Sequence, residues 1–413
     1  MKFLRLKILA TVSTASILTA MLYFDHNATT PVLPEARAAW LDACEKFTGN
    51  PSSLHRLGQR ADAALNSARE QLAAFLGCDA PDIVWTSGAT ESNNLVFHHL
   101  ARTVLRAGGG SGDEEVWISA IEHPCVLAAA AHYFPGRAHR IPVTGDGVVE
   151  VGWIRRELRK RNPSVIAVMA ANNETGVLQP WREVQSLAVE REVPFFCDAA
   201  QWLGKLPARG LGACDFVSGC AHKFGGPKGA GFLKCPGRGR VHPLLLGGKQ
   251  EEGRRAGTEN VPGVIAMLAA LQARESLIGQ GGAKERLEWR GHFERNLLKK
   301  LPGAEIVGAG SERLWNTVSA LMPEADCRQR WVVKLDKFGC AVSTGSACAS
   351  GREEASHVLA AMNYGEAEAA RVLRFSSGWE TTGADWALLM DGLLQVQAEV
   401  GGEVRTRKRS KSR

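Results

Sequence analysis

A lysine set among glycines is the most chemically informative residue in this chain. Lys223 stands in Val217-Ser218-Gly219-Cys220-Ala221-His222-Lys223-Phe224-Gly225-Gly226-Pro227-Lys228-Gly229, and the run Asp215-Phe216-Val217 leading into it reads as a short buried strand. Glycines on both sides let backbone and a ligand approach closely without Cβ clashes. An amine in such surroundings is costly to keep charged, so its pKa is expected to fall into a nucleophilic range. That suits an imine-forming lysine, for which pyridoxal phosphate is the obvious aldehyde. From this segment alone, a structural lysine beside a glycine turn fits equally well.

Other residues have types that such chemistry would need. Asp198 ends the apolar run Pro194-Phe195-Phe196-Cys197, where a carboxylate can keep a pyridine nitrogen protonated. A helix-capping Asp is the plain alternative. His123 could stack on a ring and move protons near neutral pH, or simply be satisfied by a neighbour. Ser87-Gly88-Ala89-Thr90-Glu91 follows a strand-like run and opens a helix, which makes a phosphate site, although any capped helix could look the same. Cys348 lies between Gly345-Ser346 and Ala349-Ser350-Gly351, small residues that suit a loop better than a core.

The elements that must position these residues alternate. Strand-like runs at 82–86, 115–120, 165–170, 193–197 and 215–218 are separated mostly by helical patterns, which predicts an α/β sheet with a largely parallel core. Polar residues cluster just beyond the strand ends: Glu122-His123, Asn172-Asn173-Glu174, Asp198 with Gln201, and His222-Lys223. Ligands of open α/β sheets bind at that edge. Beyond Pro262 helices dominate, with strands expected at 316–322 and 372–376 and a last helix from Ala384 to about Val400, the makeup of a smaller α+β domain.

At 413 residues the chain can bury a large core and should divide into domains. Its 45% hydrophobic and 23% charged residues are those of an ordinary soluble protein. The net charge of +7 is mild and partly sits in the basic tail from Arg405 to Arg413. No interleaved basic and aromatic pattern argues for a nucleic-acid groove. None of the ten cysteines has Cys-x-x-Cys spacing or a zinc-like His neighbourhood, which suits free thiols in a reducing compartment. Met1 to Ala20 has the basic start and apolar stretch of a secretory signal. An over-extended start, with Met21 as initiator, agrees better with chemistry that needs free thiols.

Read together, the segments resemble one family, the cysteine desulfurases of the NifS/IscS type among the class V aminotransferases. The resemblance rests on Tyr23-Phe24-Asp25 through Pro31, Asn50-Pro51-Ser52-Ser53-Leu54-His55, Thr86 through Asn94, Glu122-His123, Asn172 through Gly176, Asp198-Ala199-Ala200-Gln201, His222-Lys223, Arg255 through Asn260, Gly345-Ser346-Ala347-Cys348 and Arg374-Phe375-Ser376. It covers nearly everything from Tyr23 to about Val400.

The resemblance implies a fold-type I transferase. A large domain over 36–261 would carry a mainly parallel seven-stranded sheet, and a small α+β domain over 262–401 would carry the Cys348 loop. Residues 21–35 would join the small domain, and 402–413 would form a disordered basic tail. It further implies that Lys223 holds pyridoxal phosphate as an imine, Asp198 pairs with the ring nitrogen, His123 stacks on the ring, and Asn173 and Gln201 bond its phenolic oxygen. Ala89, Thr90 and His222 would hold the phosphate together with the residue at position 220. Thr258 would reach over from the partner subunit of a homodimer, and Arg374 would clamp the substrate carboxylate.

By the same resemblance the Cys348 thiolate attacks the sulfur of L-cysteine, leaving a persulfide and releasing alanine. His123 is the candidate base, because an ordinary thiol is only slightly ionised at neutral pH. The sulfur would serve iron–sulfur clusters or thiolated tRNA through an acceptor protein, in the cytoplasm and without a membrane. No resident metal is implied, beyond a transient iron–sulfur contact at Cys348. Cys220 departs from the family's usual serine and is the poorer donor. Lys249 replaces a glycine, the segment after Cys348 lacks a usual proline, and Trp379 is unusual. A selenocysteine lyase, another class V enzyme, or a non-catalytic partner in sulfur transfer are the alternatives.

Overall fold

Seven strands build the sheet on which the chemistry-bearing residues sit: β2 (Ile83–Thr86), β3 (Val116–Ser119), β4 (Ala138–Ile141), β5 (Val165–Ala167), β6 (Phe195–Asp198), β7 (Phe216–Cys220) and β8 (Gly231–Lys234). Their order is β2-β8-β7-β6-β5-β3-β4, and β8 alone runs against its neighbours. The computed structural model describes residues 21–106, 114–236, 241–324, 328–345 and 356–410. Cys348 and the first twenty residues lie outside them.

The central strands are apolar at almost every position because helices cover both faces of the sheet. Alternation still sorts the side chains. Trp117, Ile166, Phe195 and Val217 enter one core, and Ile118, Ala167, Phe196 and Phe216 enter the other. The antiparallel β8 was not read from the sequence, being short and opening on glycine. That glycine is required: a Cβ on Gly231 would lie 2.5 Å from the Cα of Gly88 and 2.7 Å from the carbonyl of Gly219.

A smaller antiparallel sheet, β9 (Glu305–Ile306), β10 (Thr317–Leu321) and β12 (Val372–Ser376), has its own core. Phe293 packs there between Phe375 and Trp386, at ring separations of 5.6 and 4.7 Å. The N-terminal strand β1 (Leu22–Tyr23) pairs with β11 (Cys340–Ala341), Asp25 bridges to Ser376, and Phe24 belongs to the same core. The apolar helix Val261–Gly279 packs along the helix Pro34–Lys46. One boundary differs from expectation. The last helix spans Gly383–Ser410 and so runs through most of the segment expected to be a disordered tail.

Candidate active site

The polar residues beyond the strand ends converge on one cavity of about 580 Å³. Ala89, Thr90, His123, Asn173, Asp198, Gln201, Cys220, His222 and Lys223 all line it. β6 delivers Asp198 as its last residue, and β7 ends at Cys220, where a tight turn over Ala221–Lys223 swings the lysine inward. Glycine makes that turn feasible. Gly225 has φ +98° and a Cβ there would lie 2.5 Å from Leu33.

Three expected residues are not among the described residues that line this cavity. Thr258 is exposed and is not among the lining residues. Arg374 is buried, 1% exposed, and is also not among them. Its guanidinium donates to the carbonyls of Asn173 and Gly345, each at 3.0 Å, and to Asp25 Oδ1 at 2.6 Å, while its Nε has no partner among the described residues. Cys348 cannot be placed, as it lies outside the described residues. On either side of it, Gly345 is held by Arg374, and Ser356 donates to Glu174 at 2.6 Å.

The Lys223 amine donates to the carbonyls of Asn27 and Ala28 at 2.6 and 2.9 Å. Asp198, 5% exposed, accepts from Asn93 Nδ2 at 2.8 Å and from the Ala200 N–H at 2.9 Å. Each carboxylate oxygen keeps acceptor capacity for a further donor. Burial and the charge of Asp198 push the Glu122 carboxyl up to about 8.

The first turn of the helix Ala89–Arg106 lines the same cavity, and a helix start suits an anion. Burial followed by the charges of Lys223, Lys228 and Lys205 lowers His222 to about 4. The Cys220 thiol is raised to about 11 by burial, and the Ala89 N–H lies against its sulfur. One end of the cavity therefore suits a phosphate and the floor suits a protonated ring nitrogen, which is the charge pattern of pyridoxal phosphate.

Several contributors were missed in the sequence. Lys205 is fully enclosed, its ammonium driven well below its usual range by burial and by Lys223, and it donates to Gln201 Oε1 at 2.6 Å. This turns the Gln201 amide so that its Nε2 donates to the Asn27 carbonyl at 2.9 Å. Nothing local in the sequence marks these partners. Trp379 is explained by its contacts: its Nε1 donates to the Gly204 carbonyl at 2.7 Å and its ring packs 4.5 Å from Trp315.

Comparison with known proteins agrees with this geometry. The profile of the aminotransferase class-V family matches residues 22–389. A cysteine desulfurase of Klebsiella pneumoniae is 39% identical over 358 residues, 86% of this chain and 87% of that protein. Among solved structures, a NifS-like protein from Rickettsia africae superposes with a TM-score of 0.81 at 29% identity, covering 92% of this chain and 99% of the other. SspA in complex with cysteine superposes with a TM-score of 0.73 at 27% identity, covering 87% and 99%.

Proposed function

Because this chain belongs to the pyridoxal-phosphate-dependent class-V aminotransferase family, and within it to the cysteine desulfurases, we propose that it takes sulfur from L-cysteine, releases L-alanine and keeps the sulfur as a persulfide on Cys348. The exchange balances: cysteine plus the enzyme thiol gives alanine plus the enzyme persulfide, with no external oxidant or reductant. The observation that carries this reading is the meeting of Lys223, Asp198 and His123 in one cavity.

Bound through Lys223, the cofactor supplies an electron sink for the α-carbon of the substrate. Asp198 would pair with the ring nitrogen, and His222 with the first N–H groups of Ala89–Arg106 would hold the phosphate. Asn173 and Gln201 would bond the phenolic oxygen. The amine of Lys223 would move the α-proton. Arg374 would bind the substrate carboxylate, with Asp25 giving way or sharing the fork.

The reading extends to a cytoplasmic homodimer that passes sulfur to an acceptor protein for iron–sulfur cluster assembly or tRNA thiolation. Exposed Trp40, Leu41, Leu54 and Leu57 support a second copy covering this surface, with Thr258 of each copy meeting the other's phosphate end. The test is turnover by purified protein. With an added dithiol to reduce the persulfide, wild type should show a visible imine band and release alanine and sulfide from cysteine, and Cys348→Ser should keep the band and lose sulfide release. Full sulfide release by Cys348→Ser would overturn the assignment.

A further inference from the structure

Cys125 is the side chain on the cavity wall that the reading above leaves without a task. It stands two residues after His123, which caps the helix Pro124–Tyr133 by accepting the Cys125 backbone N–H at its Nδ1, 3.3 Å away. The Cys125 sulfur lies 3.0 Å from the same nitrogen. On its other side the sulfur accepts from Asn93 Nδ2 at 3.2 Å, and Thr90 is a further side-chain partner. Asn93 Nδ2 also donates to Asp198 at 2.8 Å.

The direction of these bonds follows from the chemistry of the groups. An amide nitrogen carries two hydrogens and accepts none, so Asn93 donates both to Asp198 and to the sulfur. Burial, reinforced by Asp198, raises the thiol to about 12, so the sulfur keeps its hydrogen. The S–H is then left to donate to His123 Nδ1, which already receives the backbone N–H. A nitrogen facing two donors carries no proton of its own, and the neutral ring holds its hydrogen on Nε2.

We propose that Cys125 is a positioning residue: its thiol donates to His123 Nδ1, fixes the ring as the Nε2–H tautomer and, through Asn93, joins the ring to Asp198. Besides the thiol, the charged and titratable groups acting on the ring are Asp198, Lys223 and His357. Burial, Lys223 and His357 oppose a positive ring, and Asp198 favours it. A ring held this way can donate a hydrogen bond from Nε2 but cannot take a proton there. His123 is thus set as a hydrogen-bond donor at that nitrogen, not as the base that would ionise Cys348. This role in turnover rests on the desulfurase reading, whereas the tautomer does not.

The experiment is nitrogen-15 NMR of histidine-labelled full-length protein with cofactor bound and no substrate, using His123→Asn to assign the signals. Wild type should show a bare Nδ1 and a protonated Nε2 on the neutral ring of His123. Cys125→Ser should keep that pattern. Cys125→Ala should raise the His123 midpoint by about half to one pH unit, since one of two donors to the neutral form is lost. A proton on Nδ1 in wild type, or equal midpoints in wild type and Cys125→Ala, would overturn the proposal. The wild-type measurement stands even if the alanine variant fails to fold. Cysteine turnover, measured separately, tells failure of the desulfurase reading from failure of this one.

Discussion

Lys223 and Asn27 stand 196 residues apart in the chain, yet the lysine amine donates to the Asn27 carbonyl at 2.6 Å. The Asn27 side chain works as hard as its backbone. Its Nδ2 donates to Thr317 Oγ1 at 2.9 Å and to the Asn173 carbonyl at 3.2 Å, and its Oδ1 accepts from Asn316 at 3.1 Å. One residue therefore links the lysine, a cavity-lining loop and the smaller sheet.

Asn27→Ala should destabilise the protein by about 1–3 kcal/mol, because Thr317, Asn316 and the Asn173 carbonyl lose a buried partner. Equilibrium unfolding in urea reads the loss. Unchanged stability would mean that these bonds are made elsewhere once the side chain is gone.

Lys223→Ala should abolish the imine absorbance and lower cysteine turnover by at least about 10²–10⁴-fold, the range for a misplaced or missing proton-transfer group. Its fold should survive, since the turn over Ala221–Lys223 is held by backbone bonds such as Phe224 N–H to Ala221. Circular dichroism and the absorbance spectrum check both parts.

Glu122 makes stability depend on pH. Its carboxyl is buried and raised to about 8, so it binds its proton more tightly folded than unfolded. The resulting stabilisation is full below the unfolded pKa of about 4.5 and is lost as pH rises through the folded value near 8. Glu122→Gln keeps an acceptor for the Met169 N–H and removes the titration. The variant should therefore gain on wild type between about pH 5 and 8 in urea unfolding, and parallel curves would refute this.

Phe293→Ala should cost about 3–5 kcal/mol, because a large buried ring between Phe375 and Trp386 leaves a cavity that its neighbours cannot fill. Thermal unfolding followed by tryptophan fluorescence would register it. A cost below 1 kcal/mol, approximately, would show that this core collapses around the gap.

Alternating apolar runs and their polar ends told most of the sheet and most of the cavity, because a strand's position in a parallel core writes itself into consecutive residues. Asp198, His123 and Lys223 were found that way, each at or a few residues past the C-terminal end of a strand. β8 was not, since its four residues begin with glycine and draw their apolar character from neighbours far along the chain. Lys205 and Asn27 were missed as functional parts for the same reason: their partners, Gln201 apart, come from distant segments. Cys125 carried a local signal, a thiol two places beyond a histidine at a helix start, but a cysteine followed by Val126-Leu127 and four alanines reads as core.

The pairing of Asp25 with Arg374, 349 residues downstream, has a consequence for how the protein comes to exist. During synthesis the large sheet can assemble and bury its faces long before the strand Val372–Ser376 leaves the ribosome. Asp25 must wait for its guanidinium through almost the entire act of translation, although Asn27 and Ala28 can already meet Lys223. A ribosome stalled short of that strand would hold a nearly finished molecule whose active site has no anchor, so a damaged message yields an inert chain and not a half-working one.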